Sequence, residues 1–326
     1  MTRLHNETGV RFERFGIAYA EINNLYNPSS SKNFTIEIAI KPEISRFYKF
    51  DLIMTIHDGK DSDQLIIGQW QTGLIIMNGD DYSHKRKTKR ISADIFNKPF
   101  KKMMLTVKTG DNGTRLYING KLIKSDPDLT LMFPAGKKVI LTLGNSVYGN
   151  NSWNGNIYGF ALYDHHLPNK IIENHFKGWK KINSFTGYID ENPLLLFDFD
   201  KSESSSFSEK NSELIIPAYF PLLKKRILEA PWVGIDNFRD MIINLLGLMP
   251  LGFILYALFL NLFTMPHKKI ILITILICFV ISLFIEITQA WIPSRSSQSL
   301  DLILNAAGGG LGAYGAYTVG KLRRNR

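Results

Sequence analysis

The chain has 326 residues, a formal net charge of +10 and one cysteine. That length exceeds one ordinary small domain, and the lone Cys278 excludes an intrachain disulfide and a thiolate metal centre. The basic excess is scattered, apart from a run over Lys85–Arg90 and a tail over Lys321–Arg326, so no nucleic-acid partner is expected.

Composition divides the chain in two. Up to Pro231 it is polar with short apolar runs; from Met241 to Leu322 it is dominated by Leu, Ile, Phe, Gly and Ala. In the first part, short apolar or alternating runs predict strands over Phe34–Ile40, Leu52–His57, Leu65–Gly68, Leu74–Met77, Lys102–Lys108, Thr114–Ile118, Ile140–Gly144 and Asn156–Tyr163. In Thr114–Ile118, Leu116 and Ile118 face one way, and Arg115 and Tyr117 the other. Asn119-Gly120 supplies the positive φ angles of a tight hairpin turn, and Asp111-Asn112-Gly113 punctuates the preceding hairpin. Pro168–Trp179 reads as one amphipathic helix with Ile171, Ile172, His175, Phe176 and Trp179 on or near one face. Leu194–Phe199 returns as a strand. So many short strands separated by turn residues indicate an all-β, two-sheet sandwich rather than a parallel α/β sheet.

Chemistry is thinly marked in this part. Asp198-Phe199-Asp200 alternates so that two carboxylates share a strand face, the arrangement a glycosidase would need, but the pair sits at a strand end where acids serve as solvated turn formers. Asp61, Asp63, Asp80 and Asp81 could donate oxygens to calcium, although no dense ligand loop surrounds them; no other cofactor or metal is expected. Trp70, Tyr148 and Trp153 are candidates for stacking on sugar rings, together with Tyr158, although Tyr158 and Phe160 read better as core. Lys85, Arg86, Lys87, Lys89 and Arg90 could meet an anionic polymer or lipid headgroups, or form a solvated loop.

The run Thr114-Arg-Leu-Tyr-Ile-Asn-Gly-Lys, followed by Leu143-Gly-Asn and Trp153-Asn-Gly-Asn-Ile-Tyr-Gly-Phe-Ala-Leu-Tyr, resembles the concanavalin A-like, laminin-G-like family over residues 9–220. The resemblance implies a jelly-roll fold. It also implies a sugar- or protein-binding module or a glycan hydrolase, without choosing among them.

After a linker over 221–235, the segments Met241–Phe263, Ile270–Ile292 and Leu300–Leu322 each exceed the ~20 residues needed to cross a bilayer as helix. The third is rich in Gly and Ala and suits a helix packed on other helices. Short links force neighbours to run antiparallel, so 236–322 is expected to be a transmembrane bundle of three helices. Polar residues inside such helices are costly and therefore informative. Asp240 and Asn244 share one helix face, Glu286 and Gln289 a second, and Asp301 and Asn305 a third. All six gather at one end of the bundle, with Arg295 in the adjoining loop and Asp236 and Arg239 at its rim. Glu286 and Asp301 are the acid/base candidates of a polar pocket, with Arg295 expected to neutralise Glu286 or hold phosphate; an inert interhelical network is the alternative. Gly308, Gly312, Ala316 and Gly320 repeat every four residues as a ridge for close helix contact.

The ordered set Asp240-Met-Ile-Ile-Asn244, Pro250-Leu-Gly-Phe, Glu286-Ile-Thr-Gln289, Arg295, Asp301 and Asn305-Ala-Ala-Gly-Gly resembles the VanZ-like membrane family over 236–320. That resemblance implies a bacterial envelope protein and, through the family's namesake, a link to resistance to the glycopeptide teicoplanin. Family members usually begin with one more span, whose place the sandwich occupies here. Lys268, Lys269, Lys321, Arg323, Arg324 and Arg326 fall on one side, against Arg239, Arg295 and the more distant Lys224, Lys225 and Arg226. This favours a cytoplasmic C-terminus and an external sandwich. Met1–Asn6 has no apolar segment to direct export, so either the intact gene product carries an upstream helix, which is the expectation, or the orientation is inverted. The functional expectation is an envelope protein, in contact with membrane lipid, whose sandwich binds a cell-wall or exopolysaccharide glycan. The rivals are an enzyme on a lipid-linked envelope precursor and a plain anchor.

Overall fold

The computed structural model describes residues 2–3, 9–14, 16–23, 33–43, 50–60, 64–79, 88–97, 101–134, 138–199, 214–215, 227–228, 238–292 and 297–324. The chain forms two compact units, Met1–Leu223 and Lys224–Arg326.

In the first unit the strands are β1 (Thr2–Arg3), β2 (Val10–Phe12), β3 (Ala18–Asn23), β4 (Phe34–Pro42), β5 (Phe50–His57), β6 (Leu65–Trp70), β7 (Gly73–Asn78), β8 (Arg90–Asp94), β9 (Met103–Gly110), β10 (Gly113–Ile118), β11 (Lys121–Asp126), β12 (Lys138–Leu143), β13 (Gly155–Tyr163), β14 (Leu195–Asp198) and β15 (Leu214–Ile215). Helix α1 (Asn169–Ile182) and a 3-10 segment, Thr186–Glu191, lie between β13 and β14. The strands build two antiparallel sheets. One runs β1-β2-β13-β4-β9-β10-β11, with β14 also on β13; the other runs β15-β3-β12-β5-β6-β7-β8. β13 shares one edge between two partners, β2 along Gly155–Ile157 and β14 along Gly159–Leu162.

Side-chain alternation sets the layers. Phe34, Ile36, Ile38 and Ile40 of β4 point into the core between the sheets, where they meet Leu105 and Val107 of β9, Leu116 of β10 and Ile53, Ile56 and Leu141 of the opposite sheet. Ala39, Tyr117, Tyr158 and Tyr163 point the other way, onto a second apolar layer formed by Ile172 and Trp179 of α1 with Phe185 and Tyr188. The two faces of Thr114–Ile118 are as the alternation requires: Leu116 lies in the central core and Tyr117 under the helix. Asn119 (φ 53) and Gly120 (φ 75) form the expected left-handed turn between β10 and β11.

The second unit holds α2 (Phe238–Gly247), α3 (Met249–Leu262), α4 (His267–Gln289) and α5 (Ser299–Arg324). Its first helical rod is broken at Leu248, because Pro250 lacks the N–H that would donate to the carbonyl four residues earlier. Asp240–Leu262 and His267–Gln289 are each long and apolar enough to cross a membrane. At 26 residues α5 has the length, but Gly and Ala make it less apolar than the other two.

Burial in α4 is inverted relative to a helix facing water. Its buried positions, Ile270, Thr274, Cys278, Ser282 and Glu286, recur every four residues and run from an apolar residue at the start of the helix to a carboxylate near its end. Its outward positions are Leu272, Leu276, Val280 and Phe284, each more than half exposed. In water this would leave a large apolar surface uncovered; against hydrocarbon it costs nothing.

Small residues let the helices meet. A Cβ on Gly308 would lie 1.9 Å from the Leu245 carbonyl oxygen, and one on Gly312 1.9 Å from that of Met249, so α5 rests on backbone where the first rod is broken. The ridge read from sequence therefore holds at Gly308 and Gly312 and continues at buried Ala316, but a Cβ on Gly320 would meet nothing within 4 Å.

Candidate functional site

The polar end of the second unit is built where the last turns of α4 meet the first turns of α5. Glu286 is 1% exposed. Its Oε2 accepts the backbone N–H of Gln298 at 2.9 Å, just before α5 begins. A carboxylate there satisfies one of the helix's free donors and lies at the positive end of its dipole. One helical turn earlier, the Ser282 hydroxyl accepts a hydrogen bond from Asn305 Nδ2 at 3.0 Å. A Cβ on Gly247 would lie 3.9 Å from Asn305 Oδ1, so the end of α2 adjoins the same amide. Ser297 is buried, and its hydroxyl accepts the backbone N–H of Leu228 at 3.1 Å.

Of the residues expected here, Glu286 and Asn305 are buried and joined to the facing helix. Asn244, Gln289 and Asp301 are partly buried, whereas Asp240 is exposed on the first turns of α2. Arg295 and Asp236 lie outside the described residues, as does the side chain of Arg239. Sequence reasoning missed Ser282, Ser297 and the backbone of Gln298. Ser282 had a signal, since it stands four residues before Glu286 on the same face; Gln298 acts through its main chain, which no side-chain pattern marks.

In the sandwich, the three sugar-stacking candidates do not form one platform. Trp153 is fully buried, its indole N–H donating to Gln69 Oε1 at 2.7 Å, so no sugar can reach either ring face; this corrects its expected role. Trp70 is partly exposed at the end of β6, opposite Phe50, while Tyr148 packs edge-on against His57 at 5.9 Å. Phe50 and His57 are the two ends of β5, on the order of 20 Å apart. Trp70 and Tyr148 thus sit at opposite ends of one sheet. Tyr158 and Phe160 are core, as read.

Asp198 is engaged locally: its Oδ2 accepts the Phe185 N–H at 2.7 Å and the Ser184 hydroxyl, which is the work of a loop tie rather than of catalysis. Its partner Asp200 lies outside the described residues, as do Asp61, Asp63, Asp80, Asp81 and Lys85–Lys87. Among the described residues no group of three or more His, Cys, Asp or Glu side chains could hold a metal ion.

A buried Glu–His pair in this unit was not anticipated. Glu37 of β4 is fully enclosed beneath α1, and its Oε2 lies 2.7 Å from His175 Nδ1 while Oε1 accepts the Thr106 hydroxyl at 3.1 Å. Tyr188 stacks on the His175 ring at 3.9 Å and donates to the His175 carbonyl at 2.7 Å. Burial pushes the Glu37 carboxyl above the usual carboxylate range, with the hydrogen bond and charge of His175 pulling the other way. Burial likewise pushes the Tyr163 and Tyr188 hydroxyls up, assisted by the Glu37 charge. Sealed by aromatic rings, the pair fastens α1 to the sheet.

The family model VanZ/LLP1 matches residues 173–320, and that of the concanavalin A-like lectin/glucanases superfamily matches residues 16–173. The fusion that the sequence resembles is thus found in both halves; the two matches meet within α1, well before the division between the compact units at 223 and 224. No curated protein matches the chain significantly. Among solved structures, a protein of Bacteroides ovatus ATCC 8483, named as a candidate carbohydrate binding protein, is 12% identical with a TM-score of 0.46, over 64% of this chain and 57% of that one. The botulinum neurotoxin serotype D binding domain is 18% identical with a TM-score of 0.40, over 52% of this chain and 43% of that one. The binding domain of botulinum neurotoxin DC, solved with rat synaptotagmin II, is 14% identical with a TM-score of 0.35, over 50% and 42%. The chain spans less than two thirds of each of these proteins.

Proposed function

We propose that this is a bacterial envelope membrane protein that holds a glycan-binding sandwich at the bilayer surface. The reading is carried by one juxtaposition: a lectin/glucanase-superfamily match and two membrane-length apolar segments, one of them with an inverted burial pattern, stand in a single chain. The ligand is a cell-wall or surface polysaccharide, the sandwich and the polar end around Glu286 face outward, and the C-terminus is cytoplasmic. Binding of the full-length protein in detergent to an array of bacterial glycans tests the first claim. Retention of one glycan class is expected, and a folded protein that retains none refutes it. A reporter fused after Arg326 tests the orientation, and activity outside the cell would reverse it.

Two finer parts of the proposal concern the bundle. The engagement of Glu286 with the start of α5 favours a structural and ligand-anchoring role over acid/base chemistry on a lipid-linked precursor. Glu286→Gln keeps an acceptor oxygen for Gln298 but removes the charge. Loss of function at unchanged abundance would favour the enzyme, with Asp301 as second acid/base group and Arg295 on phosphate. The link to teicoplanin implied by the VanZ-like resemblance predicts a lowered inhibitory concentration on deletion of the gene.

A further inference from the structure

The other end of the second unit carries a different cluster. Tyr256 of α3, His267 at the start of α4, and Tyr317 and Lys321 near the end of α5 line a cleft of ≈ 180 Å³ with Ala316 and Gly320. The Tyr256 hydroxyl lies 2.7 Å from His267 Nδ1. The His267 and Tyr317 rings are 5.2 Å apart, and the Tyr256 and Tyr317 rings meet edge to face at 6.5 Å. Tyr256 is buried, so its hydroxyl fixes the imidazole from the inner side. The tautomer in which Tyr256 donates to Nδ1 carries the ring proton on Nε2, as a hydrogen-bond donor toward the cleft. Lys321 is exposed and supplies a mobile ammonium at the cleft, and Gly320 leaves open space where a side chain would stand.

The charge around this cleft has one sign. Lys268, Lys269 and Lys321 are basic, and neither Leu251–Ile285 nor Leu302–Leu322 contains an Asp or Glu. The Lys321 ammonium and the imidazole Nε2 N–H, beside the Tyr317 ring and with no Asp or Glu among the lining residues, form an acceptor-seeking site, and a phosphate is a group that satisfies both donors at once.

We propose that this cleft binds a phosphate group, presented as the headgroup of an anionic phospholipid or as free phosphate. It is separate from the Glu286 end and from the glycan reading, and it stands or falls without them. The test uses full-length protein in nanodiscs of phosphatidylcholine, with or without phosphatidylglycerol, and native mass spectrometry of the lipids retained on release. Calorimetric titration of inorganic phosphate into the phosphatidylcholine discs is the second arm. Preferential retention of phosphatidylglycerol identifies the lipid as the source, and saturable heat from phosphate without that preference identifies the free anion.

In either case Lys321→Ala should weaken binding about tenfold, the loss of one charge-assisted hydrogen bond, and Lys321→Arg should restore it. Lys268→Ala removes the same charge at the same end but outside the cleft lining, and should leave binding within about twofold. Equal weakening by Lys321→Ala and Lys268→Ala would mean diffuse attraction to a basic surface and would overturn the site. So would the absence of both lipid preference and phosphate heat.

Discussion

Alanine placed along the glycines of α5 separates packing from helix propensity within one helix. At Gly312 an added Cβ would stand 1.9 Å from the Met249 carbonyl oxygen and 3.0 Å from the Phe253 nitrogen, both backbone atoms that no rotamer change can move. Carbon meets a carbonyl oxygen at about 3.3 Å, so α5 and the first rod must part by roughly 1.4 Å. Overpacking of this kind costs about 1–3 kcal/mol, partly offset by about 1 kcal/mol gained when Gly becomes Ala in a helix. At Gly315 and Gly320 nothing lies within 4 Å of the new Cβ, so only the gain remains. Gly312→Ala should thus be less stable than Gly320→Ala by about 1–3 kcal/mol, the overpacking cost alone, since the helix gain is common to both, and Gly308→Ala should match Gly312→Ala. Cys278 provides the assay. It is the sole cysteine, it is buried, and a thiol-reactive dye therefore reports melting of the helical unit alone. Melting of Gly312→Ala at or above the Gly320→Ala temperature would refute this packing.

Three further outcomes follow from the same geometry. Asn305→Ala strips the donor from the buried Ser282 hydroxyl and should cost about 0.5–1.5 kcal/mol in the dye assay, with Asn305→Gln no better because the longer amide cannot keep the 3.0 Å bond. Glu37 has a raised folded-state pKa, so its protonated form favours folding: that contribution is complete below its unfolded value near 4.5 and is lost as pH rises through the folded value. Wild type minus Glu37→Gln stability of the sandwich should therefore fall from acid toward neutral pH, and a flat difference would show that the carboxyl does not titrate upward. Gly120→Ala forces an L-residue to φ 75 and brings a Cβ to 3.1 Å from the Glu173 Cα, so thermal unfolding of the sandwich should show a loss of about 1 kcal/mol or more.

Legibility in the sequence tracked how local each signal was. β4, β5, β9, β10 and β13 announce themselves by apolar alternation or runs, and their observed limits lie within two residues of the reading. β11 was missed because Lys121–Ser125 are all exposed and only the adjacent Leu122 and Ile123 are apolar, with no alternation, so an edge strand reads as loop. β3 was missed because its small alanines are buried without weighing on hydropathy. In the bundle, Glu286 and Asn305 were legible because charge and amide are rare in such helices. The break at Leu248 was not read, although Pro250 marked it. Glu37 and His175 are 138 residues apart. Each looked ordinary alone, an acid on the outward face of a strand and a histidine on a helix, and only the docking of α1 on that face makes them a pair.

The seat that Gly308 and Gly312 provide for the Leu245 and Met249 carbonyls also sets an order of events. The first rod leaves the ribosome well before α5 exists, so its broken middle has no glycine face to rest on until nearly the whole chain has been made. The α3–α4 pair alone therefore cannot reach its final form, and a chain stopped anywhere before about Gly312 holds two apolar rods without their keystone. Completion of α5 is the moment at which the two earlier rods become locked.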